Sequence, residues 1–100
     1  MELGYWLSCE EHDPTTLVDH AVAAERAGFA LAIASDHVHP WVPAQGQAPF
    51  VWSVLGAVAC ATERITLATG VSAPLRRVHP VTLAHAASTI AAMSMSWSRR

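Results

Sequence analysis

Apolar and polar residues follow one another in blocks along the chain, and the blocks predict strands separated by helices. Three short apolar runs are typical of strands buried in a sheet. These runs are Gly4–Leu7, Phe29–Ala34 and Arg64–Thr69. After each run comes a longer stretch in which apolar residues recur at helical spacing. These stretches cover residues 15–27, 50–62 and 80–93. The pattern therefore predicts three strand–helix units in succession.

The predicted ends of the helices follow from residues that satisfy free backbone groups. Thr15 or Thr16 is the expected N-cap of the first helix, because a hydroxyl oxygen can accept a hydrogen bond from the first turn. Gly28 is expected to end that helix, since glycine readily adopts the left-handed conformation found there. Glu25 is assigned to the solvent-facing side of the same helix. Pro80 suits the first turn of the third helix, where a missing N–H is not needed.

Strands that alternate with helices imply parallel βαβ units with right-handed crossovers. Two α/β architectures contain such units, the doubly wound sheet and the (β/α)8 barrel, and the periodicity fits both. A dinucleotide-binding sheet carries the pattern G-x-G-x-x-G after its first strand. The corresponding turn here, Ser8–His12, contains no glycine. This difference favours the barrel.

The composition predicts a folded chain and argues against nucleic-acid and membrane partners. Hydrophobic residues make up 52% of the 100 residues and charged residues only 14%, so the chain has enough apolar surface to fold and is not expected to be disordered. The net charge is −2 and no basic stripe is present, which argues against a nucleic-acid partner. No run approaches the roughly 18 apolar residues of a membrane span, so no membrane partner is expected.

The cytoplasm is the expected location of the protein. Acidic residues stand near the N-terminus, where a signal peptide would carry positive charge. The two cysteines, Cys9 and Cys60, are then expected to be reduced. Each is interpreted as a small buried side chain.

Polar residues cluster at the C-terminal ends of the predicted strands, where the active site of a barrel forms. They are Ser8, Cys9 and Glu10 after the first strand, Asp36, His37 and His39 after the second, and Thr69, Gly70, Val71 and Ser72 after the third. The pair Asp36-His37 is the sharpest feature, because a neighbouring carboxylate can orient an imidazole or raise its pKa. The alternative is a polar start of a loop with a solvated histidine.

The spacing of His37 and His39 also matches a pair of metal ligands, because alternate residues of a strand share a face. A catalytic metal normally needs a third protein ligand. His12, His79 or a carboxylate could supply it. This alternative predicts a metal-dependent hydrolase built on a barrel.

Three segments resemble the luciferase-like monooxygenase superfamily. They are Ser35–Trp41 (SDHVHPW), Ala48–Ser53 (APFVWS) and Ala68–Pro74 (ATGVSAP). The resemblance extends from Met1 to about Met93 and is greatest to the branch of F420-dependent, glucose-6-phosphate dehydrogenase-like oxidoreductases. It implies a (β/α)8 TIM barrel, often homodimeric, that binds a deazaflavin at the strand C-termini and takes hydride from a small-molecule substrate. FMN is the alternative cofactor.

The resemblance also implies roles for individual residues. Asp36 would contact the deazaflavin ring, and His37 would be the catalytic imidazole, acting as a base or charge stabiliser toward the substrate hydroxyl. Trp41 would line the substrate side. Three residues after the third strand would contact the cofactor: Gly70, Val71 and Ser72. The peptide bond between the first two is expected to be cis and to lie against the ring face. No metal ligand is implied.

The resemblance ends near the C-terminus of the sequence. Residues 1–93 are interpreted as a partial luciferase-like TIM-barrel domain of about three β/α units, and residues 94–100 as a divergent C-terminal tail. A frameshift or a premature stop is the expected cause of the divergence. Because three strands of eight cannot close a barrel, a polypeptide of these residues alone is expected to bind deazaflavin weakly or not at all. It is also expected to show no turnover.

Three hypotheses about function therefore remain at this point. The first is a luciferase-like oxidoreductase that transfers hydride between an organic substrate and F420 or a flavin, represented here by a truncated chain. The second is an inactive remnant without catalysis. The third is the metal-dependent hydrolase that uses His37 and His39.

Overall fold

The computed structural model describes residues 2–36, 44–70 and 79–94. Strands and helices alternate through these residues, as the sequence predicts. The elements are β1 (Gly4–Leu7), α1 (Pro14–Arg26), β2 (Leu31–Ser35), α2 (Val51–Ala61), β3 (Thr66–Gly70) and α3 (Pro80–Met93).

The three strands form one parallel sheet in the order β1-β2-β3. Leu7 pairs with Ala34, which in turn pairs with Thr69, and Ser35 pairs with Gly70. Consecutive strands are thus direct neighbours, as they are in a (β/α)8 barrel. Because all three run in the same direction, their carboxyl ends meet at one edge of the sheet.

The hydrophobic core lies between the sheet and the helices. Alternate residues of a strand point to opposite faces, and in β2 the residues Ala32 and Ala34 are fully buried whereas Leu31 and Ile33 are half-buried. The helices supply the other side of the core, chiefly through Leu17, Ala21, Val51, Val54, Leu55 and Val58. A fully buried leucine contributes roughly 1.5–3 kcal/mol to stability. The opposite face of the sheet is packed less completely, and Trp6 there is 52% exposed.

The N-terminus of α1 differs from the prediction. Asp13 is the N-cap, and its carboxylate accepts hydrogen bonds from the backbone N–H and the hydroxyl of Thr16, both at 2.9 Å. Pro14 occupies the first turn. The prediction of Thr15 or Thr16 as the cap was therefore wrong, because the helix begins one residue after Asp13.

The end of α1 follows the prediction. Gly28 has φ of +97°, a left-handed conformation that glycine adopts without steric penalty. The N–H of Phe29 donates to the carbonyl of Ala24, and the N–H of Gly28 donates to that of Glu25. These two bonds form a Schellman motif, which satisfies carbonyls at the end of the helix. Phe29 consequently belongs to the helix end, and β2 begins only at Leu31.

Glu25 lies away from the core side of α1, as predicted, but its carboxylate makes contacts that the sequence did not reveal. Its carboxylate accepts hydrogen bonds from the backbone N–H groups of Glu63, Arg64 and Ile65, at distances of 3.0, 2.7 and 2.9 Å. These N–H groups point to α1 and not to a neighbouring strand. For this reason β3 begins at Thr66 and not at Arg64.

The start of the third helix also agrees with the prediction. Helix α3 starts at Pro80 as predicted, and the Nδ1 atom of His79 accepts a hydrogen bond from the N–H of Val81 at 3.1 Å.

Cys9 is buried, as predicted, but Cys60 is exposed on α2, so its assignment to the core was wrong. Within the described residues, no helix is long and apolar enough to cross a membrane.

Candidate functional site

Polar side chains from β1 and β2 meet at the carboxyl edge of the sheet, around Ser35. The side-chain oxygen of Ser35 accepts a hydrogen bond from the backbone N–H of Cys9 at 3.1 Å. The same oxygen lies 2.5 Å from a carboxylate oxygen of Glu10 and 3.4 Å from the carbonyl oxygen of Leu7. A hydroxyl has a single proton to donate, and the shorter distance assigns that proton to Glu10. Ser35 therefore ties the end of β2 to the turn that follows β1.

This polar cluster is buried. Ser35 is 2% exposed and Glu10 is 4% exposed. Breaking a buried hydrogen bond on one side leaves the other partner unsatisfied, which costs about 1–3 kcal/mol. The Glu10–Ser35 pair is consequently a stable link between two strand ends.

Cys9 belongs to the same cluster, and Asp36 directly follows Ser35 in the chain. Burial raises the pKa of the Cys9 thiol, and the negative charges of Glu10 and Asp36 raise it further, while hydrogen bonding with Ser35 acts in the opposite direction. The net effect keeps Cys9 protonated at neutral pH, so it is not an activated nucleophile.

The loop before α2 also reaches this edge. The backbone N–H of Gln47 donates to the carbonyl of Glu10 at 3.0 Å. This bond attaches residues 44–50 to the turn after β1. Phe50, at the end of the loop, is 52% exposed. The segment that enters α2 is thereby held near the ends of the strands.

On the face of the sheet opposite the core, Trp6 extends toward the end of β3. Trp6 pairs with Ile33, one layer below the pair of Ser35 and Gly70. A Cβ atom placed on Gly70 would collide with Cη2 of the Trp6 indole and would lie only 2.8 Å from its Cζ3. The indole therefore lies directly against the bare Cα of Gly70, and a side chain at this position would have to displace it.

Two of the predicted site residues lie at the shared carboxyl edge. Asp36 follows the last residue of β2, and Gly70 is the last residue of β3. The other four predicted site residues lie outside the described residues: His37, Trp41, Val71 and Ser72. The peptide bond between Gly70 and Val71, expected to be cis, lies outside them as well.

Sequence reasoning placed Glu10 at this edge without a contact or a role, and it gave none to Trp6 or Ser35. A carboxylate directly after an apolar strand was the available signal for Glu10. The bond between Glu10 and Ser35 joins residues 25 positions apart, so local patterns do not reveal it.

The described residues contain no group of three or more metal-ligating side chains close enough to hold an ion. Two of the residues considered as a third ligand have other contacts. The ring of His12 packs edge to face on that of His20, with centroids 4.7 Å apart. His79 caps α3 through its Nδ1 atom. The proposed ligands His37 and His39 lie outside the described residues.

Comparison with known proteins identifies close relatives of this chain. The chain is 42% identical over 94 residues to an F420-dependent glucose-6-phosphate dehydrogenase of Intrasporangium calvum. It is 41% identical over 92 residues to an F420-dependent hydroxymycolic acid dehydrogenase of Mycobacterium tuberculosis. These alignments cover 94% and 92% of the chain but only 28% and 26% of the relatives. The chain thus spans about a quarter of the length of the curated relatives that it matches.

A solved structure has the same arrangement of strands and helices. It is an F420-dependent secondary alcohol dehydrogenase in complex with an F420–acetone adduct, with a TM-score of 0.82 and 30% sequence identity. The match covers 85% of this chain and 26% of that protein. In addition, the family model for luciferase-like monooxygenases matches residues 1–95. The chain therefore belongs to the luciferase-like monooxygenase family, and it corresponds to part of the TIM barrel of F420-dependent oxidoreductases.

Proposed function

We propose that this chain forms the N-terminal, deazaflavin-contacting part of an F420-dependent oxidoreductase. The observation that carries the proposal is the convergence of Asp36 and Gly70 on the carboxyl edge of the sheet, in a chain 42% identical to an F420-dependent enzyme. In a barrel, this edge is where ligands and catalytic residues gather.

The residues at the edge fit a planar ring. Gly70 has no side chain, so a flat ring can lie against its backbone, as the Trp6 indole does. Asp36 is half-buried and supplies carboxylate oxygens that can accept hydrogen bonds from ring N–H or hydroxyl groups. When bound, F420 supplies the acceptor for a hydride. FMN has a ring of similar shape and is the second candidate, whereas the names of the relatives favour F420.

The catalytic assignment rests on the family resemblance. His37 follows Asp36 directly in the sequence and would take the proton of the substrate hydroxyl, while the carbon that bears this hydroxyl would give its hydride to the deazaflavin. The substrate is thereby oxidised by two electrons to a carbonyl compound. Trp41 would line the substrate side of the site. Val71 and Ser72 would complete the cofactor contacts begun by Gly70.

A hydroxyl-bearing carbon is the proposed reacting centre. The relatives are named for glucose 6-phosphate, hydroxymycolic acid and a secondary alcohol, all of which contain such a carbon. A small organic molecule of this class is the proposed substrate. A homodimer, suggested by the family, and a cytoplasmic location belong to the same proposal. The free thiols Cys9 and Cys60 fit a reducing compartment.

Cofactor binding is the first test. Oxidised F420 is titrated into the purified chain, and its fluorescence anisotropy is followed. We expect weak binding without turnover, because the remaining strands of a barrel are not supplied by these residues. Asp36→Asn should weaken the binding further. A chain that is folded by circular dichroism but has no affinity for F420 would instead favour the inactive remnant.

Catalysis is tested in a chimera. Residues 1–93 replace the matching part of the Intrasporangium calvum relative, and reduction of F420 by glucose 6-phosphate is measured. We expect the chimera to turn over. His37→Asn should lower kcat by about 100-fold or more, the usual effect of removing a general base. Full activity in this variant would contradict the assigned role. Stoichiometric metal in the purified chain, measured by elemental analysis, would instead favour the metal-dependent hydrolase.

A further inference from the structure

The position of Trp6 suggests a contribution to the site that the family resemblance did not assign. Its backbone lies in the layer of Ile33 and Ala68, one layer below the ends of the strands. Its indole extends from this layer to Gly70, and a Cβ atom on Gly70 would collide with it. The space beside the end of β3 is therefore bounded by an aromatic ring.

Exposure and location distinguish Trp6 from the other indole of the described residues. Trp6 is 52% exposed, so part of its ring surface is available for contact. Trp52 lies on the other side of the sheet, where it packs against the core and lines a groove with Leu67 and Ile90. Only Trp6 of these two can reach a molecule bound at Gly70.

We propose that Trp6 is a further cofactor-contacting residue, whose indole forms the floor of the ring site next to Gly70. This inference rests on the proposed function, because it assumes a planar deazaflavin at the carboxyl edge. Aromatic rings attract one another in offset-stacked and edge-to-face arrangements, beyond the effect of buried area. Ile33 and Ala68, the partners of Trp6 in its layer, offer no such surface.

The same geometry explains why position 70 is glycine. A methyl group there would push the indole away from the end of β3, since Cζ3 would lie within 2.8 Å of the added Cβ. The Gly70 backbone and the Trp6 indole thus act as one surface. Their effects on cofactor affinity are expected to depend on each other.

The first experiment titrates oxidised F420 into the 100-residue chain and follows both tryptophan emission and the anisotropy of the deazaflavin. We expect F420 to quench the emission of the chain. Trp6→Phe should reduce this quenching, and Trp6→Ala, which removes the aromatic ring, should weaken binding about three- to tenfold, the usual range for an aromatic contact. Trp52→Phe is the matched control and should leave affinity and quenching unchanged. Unchanged quenching in Trp6→Phe together with unchanged affinity in Trp6→Ala would overturn the inference.

The second experiment is a double-mutant cycle on Gly70 and Trp6. Gly70→Ala should weaken F420 binding in the wild-type background. In a Trp6→Ala background, where the methyl group has space, it should cause little further loss. Additive losses would overturn the inference, because they would mean that the two positions act independently. Circular dichroism of each variant checks that the fold is kept.

The two proposals fail in different ways. If the chain binds F420 and Asp36→Asn weakens the binding, but the Trp6 variants behave as wild type, only the role of Trp6 is lost. If the folded chimera that carries residues 1–93 does not bind F420, the proposed function and the role of Trp6 are both overturned.

Discussion

Two glutamates lie at opposite ends of the sheet and satisfy their carboxylates in different ways. Glu25 lies near the amino end of β3 and accepts hydrogen bonds from three consecutive backbone N–H groups. Glu10 lies at the carboxyl edge and is bonded to the hydroxyl of Ser35. The first carboxylate fixes where a strand begins. The second joins two strand ends beside the candidate site.

This difference separates stability from function within one small sheet. In barrels, the amino end of the strands serves mainly stability and the carboxyl end carries the active site. Removal of Glu25 should therefore affect folding alone. Removal of the Glu10–Ser35 link should affect both folding and cofactor binding. The following predictions test this contrast.

Glu25→Ala is expected to have the largest effect on stability. It leaves three backbone N–H groups without their partner, and a charge-assisted hydrogen bond is worth about 1.5–3 kcal/mol. The free energy of unfolding should fall by about this amount, as measured by urea denaturation followed by circular dichroism. Glu25→Gln, which keeps one acceptor oxygen, should lose less. An unchanged urea midpoint in Glu25→Ala would show that the carboxylate does not hold the start of β3.

Ser35→Ala is expected to lower the free energy of unfolding by about 1–2 kcal/mol, because a buried carboxylate and a buried N–H lose their partner. Unlike Glu25→Ala, it should also weaken F420 binding per folded molecule. Ser53→Ala, at an exposed serine of α2, is the control and should change neither quantity. If Ser35→Ala lost stability but kept full affinity, the link would be structural only.

Glu25 should also make the free energy of unfolding depend on pH, with a smaller effect than that of the substitutions above. Burial raises the pKa of this carboxyl, but the N–H groups of Arg64, Ile65 and Glu63 outweigh burial and hold the pKa below its ordinary value of 4.5. The unfolded chain therefore binds the proton more readily. The stabilisation is fully present above pH 4.5 and is lost as the pH falls through the folded pKa.

Urea denaturation at several pH values below neutrality measures this loss. Glu25→Gln should show a shallower decline on acidification than wild type. A residual decline is expected in both proteins, because the backbone N–H of Thr16 also lowers the pKa of Asp13. Identical slopes would mean that Glu25 has the same proton affinity in the folded and unfolded chains.

Thiol labelling compares the two regions in the wild-type chain. Cys60 is exposed, whereas Cys9 is buried in the polar cluster with its pKa raised by burial. Under native conditions Cys60 should react roughly tenfold faster or more. Mass spectrometry locates the label, and Cys60→Ser should remove the fast phase. Equal rates would mean that the carboxyl edge opens readily.

The sequence was sufficient for the alternation of strands and helices, because hydrophobic periodicity is a local signal. It also located the end of α1 at Gly28 and the start of α3 at Pro80, where glycine and proline have strong conformational preferences. The cap of α1 was missed because a threonine hydroxyl was expected to fill this role. The carboxylate of Asp13 does so, and Pro14 is the first residue of the helix.

The contacts of both glutamates could not be obtained in this way. Periodicity correctly placed Glu25 away from the core stripe of α1, but it does not tell which later segment returns to that side. The N–H groups that it binds lie 38 to 40 residues further along the chain. Likewise, parallel strands bring Glu10 and Ser35 together only after the crossover has formed. The indole of Trp6 reaches Gly70 across β2 for the same reason.

Helix α3 contributes no buried residue to the described part of the chain, although it has 14 residues and packs against α2. The rest of the described protein therefore does little to shield the backbone hydrogen bonds of α3 from water. Short helices with little tertiary burial unfold locally with ease. Amide protons of α3 should consequently exchange with deuterium well before those of β2. Slow exchange in α3, equal to that of β2, would show that its contact with α2 alone is enough to hold the helix.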